Sequence, residues 1–475
     1  MILVASGRIA QFFLALVMVR VATTVLSPEE MGKVSLILAS IAFFAFLLIN
    51  PVGTFINRRL HAWQRTGVAK EYLIRYAAYL FIVSLVAASV LVGLYTLGIL
   101  DFGVPLVWLF FLVSGSLLFN TINQTSIPSL NLLGDSKRFV FYSILTVASS
   151  LICAFLLVEE LYPAAQYWVF GLLLGQTIFA AIGTRSLFRL LDQADVTPPV
   201  LSMNDYHFQA LVKFAWPVAI AATLGWVQAQ GYRYIMEDHL GLAALGLFVA
   251  GYGLSAGLIA GFEAILTTYF QPRLYRDVSP SHSEHYGEAW KRYASAIIPS
   301  LILTVALIAS LAPELTRMLL GAHFQTAVDY VVWGAFAEAA RVLVGVYSLI
   351  AHVYMRTSWL VFPSLVGALS SILLILYLIP HLGPTGVGVG LTLSGVVVVM
   401  TLHYMLIDKV GGGLPVRPML LAVFAALLLW GGSSFARGLL DIVSWWEVIG
   451  FLVVVGGAYM LLQYLFIRPH LVETK

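Results

Sequence analysis

Apolar runs of 18 or more residues recur along the chain from end to end, separated by short polar segments. At about 1.5 Å of rise per residue, about 20 apolar residues cross the roughly 30 Å of a bilayer's hydrocarbon. The pattern predicts fourteen such spans: 8–26, 34–56, 76–98, 104–126, 139–158, 167–188, 213–236, 242–268, 293–312, 327–350, 359–380, 386–407, 418–436 and 447–467. The fold class that follows is all-α integral membrane. The longest polar segment, about 189–212, contains Thr-Pro-Pro and reads as a linker between halves.

Polar positions also set the orientation. With the N-terminus inside, cytoplasmic segments, counted with the cytoplasmic ends of the spans, hold 20 of the 26 Lys and Arg residues, outer loops hold Lys33, Arg317 and Arg437, and the rest of the spans hold Arg20, Arg233 and Arg341. This bias predicts both termini in the cytoplasm. It also supports an even number of spans, because losing one would invert every later loop.

Composition narrows the class further. The 475 residues are 60% hydrophobic and 10% charged, against about 25% charged in soluble domains. No basic, aromatic-laced soluble segment is present, so nucleic acid is not an expected partner. Cys153 is the only cysteine, which excludes an intrachain disulfide and a thiol pair for a metal. The first apolar run carries Arg20 and is followed by Ser-Pro-Glu-Glu, not by a small-residue cleavage site, so it reads as the first span. No G-x-x-x-x-G-K-[ST] loop, H-E-x-x-H or Cys/His cluster occurs. GYG at 251–253 and GVGVG at 386–390 read as helix-packing positions. A membrane glycosyltransferase or polymerase would need sizeable outer loops with catalytic acids. Here Glu29, Glu30, Asp101, Glu159 and Glu160 sit in short turns.

Two halves of the sequence resemble each other. LSPEEMG (26–32) returns in skeleton as LGLAALG (240–246), at an offset of 214. The same offset relates Arg59-Leu60 to Arg273-Leu274, and slightly larger ones relate Arg75-Tyr76-Ala77 to Arg292-Tyr293-Ala294 and Val140-Phe141 to Val361-Phe362. The repeating unit has six spans, an even number, so both copies face the same way. The expected organisation is a six-helix lobe at 1–195, a second at 205–408, and two additional transmembrane helices at 415–475. Two parallel lobes of this kind are expected to enclose a cavity and to expose it alternately to each side.

A charge in the bilayer centre is unfavourable by about 2.5–3.5 kcal/mol on insertion scales and usually faces a cavity or a partner. Arg20 is twelve residues into the first span, either an interhelical ion pair or carbonyl contact or a cavity-lining cation. Glu338 and Arg341 share a face at i, i+3 spacing, and either neutralise each other or line a cavity. Arg233 and Glu263 lie near the ends of their spans, where snorkelling explains them, and Glu263 is also a candidate for ion coupling. Asn120, Asn123 and Gln124 cluster on the fourth span and either bond neighbouring helices or contact sugar. Three deep arginines against two glutamates favour an anionic cargo, because arginine's planar fork suits phosphate oxygens. The basic stretch NRRLHAWQRTG (57–67), with Arg58 and Arg59, and the matching Arg273 read as cytoplasmic basic loops that meet anionic lipid.

An arginine in the first span, LSPEEMG, a basic segment after the second span and FAWPVAIAATLGWVQAQGYRYIMEDHLGLAALGLFVAGYGL (214–254) together resemble the polysaccharide transporter (Wzx-type) family of the MOP flippase superfamily. The likeness covers about residues 1–300 in motifs and the rest in span number. It implies a fourteen-span, two-lobe flippase of the bacterial inner membrane, with no resident cofactor. Its cargo would be an undecaprenyl-pyrophosphate-linked oligosaccharide, the repeat unit of O-antigen, capsule or exopolysaccharide. Polysaccharide polymerase and chain-length proteins are the partners implied, and coupling to a Na+ or H+ gradient is admitted. By the same analogy Arg20, Arg233 and Arg341 engage the pyrophosphate or anionic sugars. The alternative on the same fold is a MATE-like ion-coupled exporter of small molecules. Exporters of that kind often couple through a carboxylate in the first lobe, and none is evident here.

Overall fold

The structure is a computed structural model that describes residues 2–193, 208–278, 286–354, 356–411, 413–440 and 444–472. The middle of the expected linker at 189–212 therefore lies outside the described residues. Among those residues the ordered elements are helices, with no strand. The chain divides into two compact units, Met1–Gly246 and Leu247–Lys475.

The first unit holds α1 (Ile2–Val25), α2 (Pro28–Phe44), α3 (Asn50–Thr66), α4 (Ala69–Thr96), α5 (Leu106–Gly115), α6 (Thr121–Leu132), α7 (Ser136–Glu160), α8 (Ala165–Asp192), α9 (Phe208–Gln230) and the start of α10 (Tyr232–Asp277). α2 is its buried centre, with Leu36, Ile37 and Ala39 at 1% exposure or less. The motif that opens α2 explains its start. Ser27 Oγ accepts from the Glu30 amide at 3.3 Å, and Pro28 occupies the first turn, where a missing N–H has no consequence. Glu30 then reaches out of its own helix to accept from the Ala165 amide at 2.6 Å, capping α8, while Lys33 pairs with Glu29 and Glu30. The same glutamates favour the positive end of the α2 dipole.

The second and fourth spans are each interrupted by one π-helical turn, Ala45–Ile49 and Ser116–Asn120. Such turns loosen the backbone hydrogen bonding, and the Leu48 carbonyl accepts from Tyr79 Oη at 2.6 Å. Beyond the first of these turns, α3 continues as an amphipathic helix. Ile56, Leu60 and Trp63 are buried at i, i+4, i+7, Trp63 stacks on Tyr72 at 4.3 Å, and Arg58, His61 and Arg65 are exposed. Arg58 and Arg59 are thus on a helix, not in a loop, and Arg273 likewise lies inside α10. The periodic apolar positions between the charges propagate the helix past the span.

Thirteen stretches among the described residues are long and apolar enough to cross a membrane. One of them, Val218–Asp277, has 60 residues, about 90 Å of helix. That is three times the hydrocarbon thickness. Gly241 breaks it at φ 80°, ψ 170°, a conformation open almost only to glycine. The stretch accordingly supplies two spans, the expected seventh and eighth, and the spans among the described residues number fourteen.

The second unit comprises the remainder of α10, then α11 (Tyr286–Leu319), α12 (Val328–Val353), α13 (Val361–Leu382), α14 (Pro384–Leu406), α15 (Val416–Leu439) and α16 (Trp445–Val472). α11 is its axis, packed against α12, α15 and α16. Gly251 fits where a Cβ would sit 2.7 Å from the Ala327 carbonyl oxygen, and Gly388 where it would sit 2.6 Å from Trp333 Cβ, so GVGVG and the first glycine of GYG are packing positions, whereas Gly253 has nothing within 4 Å. The last two helices are bound to α11 by polar contacts. Gln463 Nε2 donates to the Ser300 carbonyl at 2.8 Å and to Tyr459 Oη at 3.0 Å, and Tyr459 meets Thr304 at 3.0 Å. Nearer the other end of α11, Arg437 meets both oxygens of Glu314, at 2.9 and 2.8 Å.

Candidate functional site

A cluster of charged side chains inside the second unit is built by α10 and α12. The i, i+3 spacing on α12 sets Arg341 over Glu338, with Nε donating to Glu338 Oε2 at 2.6 Å. The packing of α10 against α12 brings Glu263 to the same guanidinium, where Arg341 Nη2 donates to Glu263 Oε2 at 2.8 Å. Tyr252, three turns before Glu263 on α10, donates its hydroxyl to Glu338 Oε1 at 2.5 Å. Gly345, one turn beyond Arg341, leaves room beside Glu263, whose Oε1 lies 4.0 Å from where a Cβ would stand.

The two carboxylates are not equivalent. The Glu338 side chain is 8% exposed, and both of its oxygens are engaged. Glu263 is 26% exposed and meets Arg341 through one oxygen, and the Arg341 side chain is 45% exposed. Two carboxylates against one guanidinium leave a formal charge of −1. Both N–H groups on Nη1 and one on Nη2 have no partner among the described residues. That is enough donors to hold an oxyanion in the bidentate manner arginine favours.

Glu263 is therefore an ion-pair partner of Arg341. Of the two readings of Glu338 and Arg341, mutual pairing is present, with a second acid that the helix spacing could not announce. Tyr252 is the other member that sequence reasoning missed, since it was visible only as part of GYG.

The remaining candidates lie in the first unit. Arg20 is half-buried on α1, 18 residues from Ile2 and five from Val25, or about 27 and 8 Å along the axis. Its distance from the second end nearly equals the six residues that a span over 8–26 implies, and the difference is that the helix starts earlier, at Ile2. Its carbonyl accepts from Thr24 at 2.7 Å and Thr23 at 3.2 Å. Arg233 is half-buried just after the turn at Gly231, with its guanidinium 5.6 Å from the Tyr232 ring centre. Asn120 closes the second π-helical turn and is half-buried. Asn123 is buried and donates to Thr146 Oγ1 and to the Gln176 carbonyl, both at 3.3 Å, so it ties α6 to α7 and α8. Arg58 is exposed, the Arg59 guanidinium lies 5.7 Å from the Phe55 ring centre, and Arg273 lies over Tyr269 at 3.7 Å.

No protein-family model matches the sequence, and no curated protein matches it. Solved structures do match in fold. The lipid II flippase MurJ in an inward closed conformation is similar over 99% of this chain and 99% of its own, with a TM-score of 0.63 at 15% identity. An inward-facing multidrug resistance MATE family transporter of the MOP superfamily is similar over 84% of this chain and 94% of its own, with a TM-score of 0.64 at 14% identity. An outward-facing transporter of that family is similar over 86% and 93%, with a TM-score of 0.55 at 13% identity. The chain thus shares the fold of these MurJ and MATE structures and is a multi-pass membrane protein by the length and apolarity of its helices.

Proposed function

We propose that the protein is a flippase of the Wzx type, carrying an undecaprenyl-pyrophosphate-linked oligosaccharide across a bacterial inner membrane by alternating access, with both termini cytoplasmic. The observation that carries this reading is Arg341, a membrane-embedded guanidinium with unclaimed donors, accompanied by Arg20 on a helix of the first unit. Arginine in such a place suits the phosphate oxygens of a lipid headgroup. The extent of the structural likeness supports it. A lipid II flippase matches the chain over 99% of its length, whereas MATE transporters match 84% to 90%. The unmatched share is comparable in length with α15, α16 and their loops. Short loops leave the chemistry of assembling the glycan to other proteins, among them a polymerase and a chain-length protein.

The second reading is a MATE-like, ion-coupled exporter of small molecules. The observation favouring it is the formal charge of −1 on the cluster of Glu263, Glu338 and Arg341, which suits a cation. The two readings separate on charge. Arg20→Ala and Arg341→Ala are expected to slow translocation of a fluorescent polyprenyl-diphosphate glycan in vesicles by about tenfold or more, the loss of at least one charge-assisted contact. Both variants should still elute as monodisperse protein. Normal rates in both variants would remove the anion reading, and export of a cationic dye that depends on Glu263 would establish the alternative.

A further inference from the structure

We infer that Glu263 is a built-in competitor at Arg341, holding the guanidinium until a phosphate or diphosphate group arrives. The inference rests on the anionic cargo proposed above and gives Glu263 a role other than ion coupling.

The asymmetry between the two acids carries it. Glu338 is on the same helix as Arg341, is 8% exposed, and is held on its other oxygen by Tyr252. It orients the guanidinium and has nowhere to go. Glu263 comes from a different helix, is 26% exposed, and offers one oxygen to Nη2. An oxyanion approaching Arg341 meets three N–H groups that have no partner among the described residues, and beside them the Glu263 carboxylate. With both acids ionised the guanidinium is compensated twice over, and an incoming anion is repelled. Moving Glu263 aside removes the repulsion and frees the fourth N–H of the terminal fork for a bidentate contact. Because the two ligands of Arg341 belong to α10 and α12, exchanging Glu263 for the anion also releases one polar tie between those helices. Anion binding thereby acquires a direct effect on their packing.

The test measures binding of two probes, inorganic pyrophosphate and a short prenyl diphosphate, to the purified full-length protein by titration calorimetry. Glu263→Gln keeps the side chain's shape and removes its charge. It is expected to tighten both probes by about ten- to a hundredfold, the effect of losing one charged competitor. Glu263→Ala is expected to do the same, and Arg341→Ala to bind neither probe. A gain for both probes assigns the site to the phosphate chemistry itself, and a gain for the prenyl diphosphate alone assigns it to a lipid headgroup. Unchanged or weaker binding in both Glu263 variants overturns the inference, as does undiminished binding in Arg341→Ala. If vesicles still translocate the lipid while the Glu263 variants show no gain, this inference fails and the proposed function stands. If the gain is present but no lipid moves, the anion site stands and the cargo is wrong.

Discussion

Glu314 is 4% exposed inside the second unit, and Arg437 meets both of its oxygens and also the Ser310 carbonyl. A buried pair of this geometry responds unequally to substitution, because one charge left alone keeps its full desolvation penalty. Glu314→Ala is expected to destabilise the protein by about 3–5 kcal/mol, whereas the double substitution Glu314→Leu with Arg437→Leu should recover most of that. Thermal unfolding of the two variants in detergent checks both expectations, and equal loss in the two would contradict them. Tyr252 makes a similar case on a smaller scale. Tyr252→Phe removes one hydrogen bond to an ionised group and should lower stability by about 1.5–3 kcal/mol in the same measurement. Which of these residues could be read in advance depended on sequence distance. Glu338 and Arg341 are three residues apart on one helix, so their pairing was legible. Glu263 reaches Arg341 across 78 residues and Glu314 reaches Arg437 across 123. Those meetings are decided by helix packing, which is why Arg437 reads as a loop residue and Glu263 as a snorkelling one until the helices are assembled.

At the level of elements, LSPEEMG and LGLAALG do more than resemble each other. A Cβ on Gly32 would stand 2.2 Å from the Leu242 carbonyl oxygen, and one on Gly246 would stand 1.7 Å from that of Pro28. The offset of 214 that aligns the two motifs relates Pro28 to Leu242 and Gly32 to Gly246, so the contact is reciprocal. The two motifs thus pack closely against each other within the first unit. Gly246→Ala should therefore force backbones apart and destabilise by about 1–3 kcal/mol. Gly457→Ala, on a helix face with nothing within 4 Å, should be neutral or stabilise by up to about 1 kcal/mol. Unfolding midpoints of the two alanine variants, compared side by side, decide this, and indistinguishable effects would argue against the close contact. The helical character of 57–66 was also present in the spacing of Ile56, Leu60 and Trp63, but charge density hid it. The π-helical turns had no signature to find, since SLLFN and AFLLI are ordinary apolar helix sequences.

For the whole molecule, the number of spans was legible because it depends on run length and on lysine and arginine placement, both local properties. The break at Gly241 shows the limit of a local view of the structure, where two spans merge into one 60-residue stretch. The cargo is a different matter. It depends on which charges remain available after helices have paired them, and the cluster around Arg341 has one acid more than its span revealed. The central claim is that this fold moves an anionic, lipid-linked glycan between leaflets. The most direct measurement places the purified protein in vesicles with a fluorescent polyprenyl-diphosphate oligosaccharide and follows how much of it a membrane-impermeant reagent reaches. Exposure of the lipid on both leaflets, reached faster with wild-type protein than with Arg341→Ala or with empty vesicles, is the predicted result. Lipid that stays in its original leaflet with wild-type protein, under an imposed Na+ or H+ gradient as well as without one, would contradict the account.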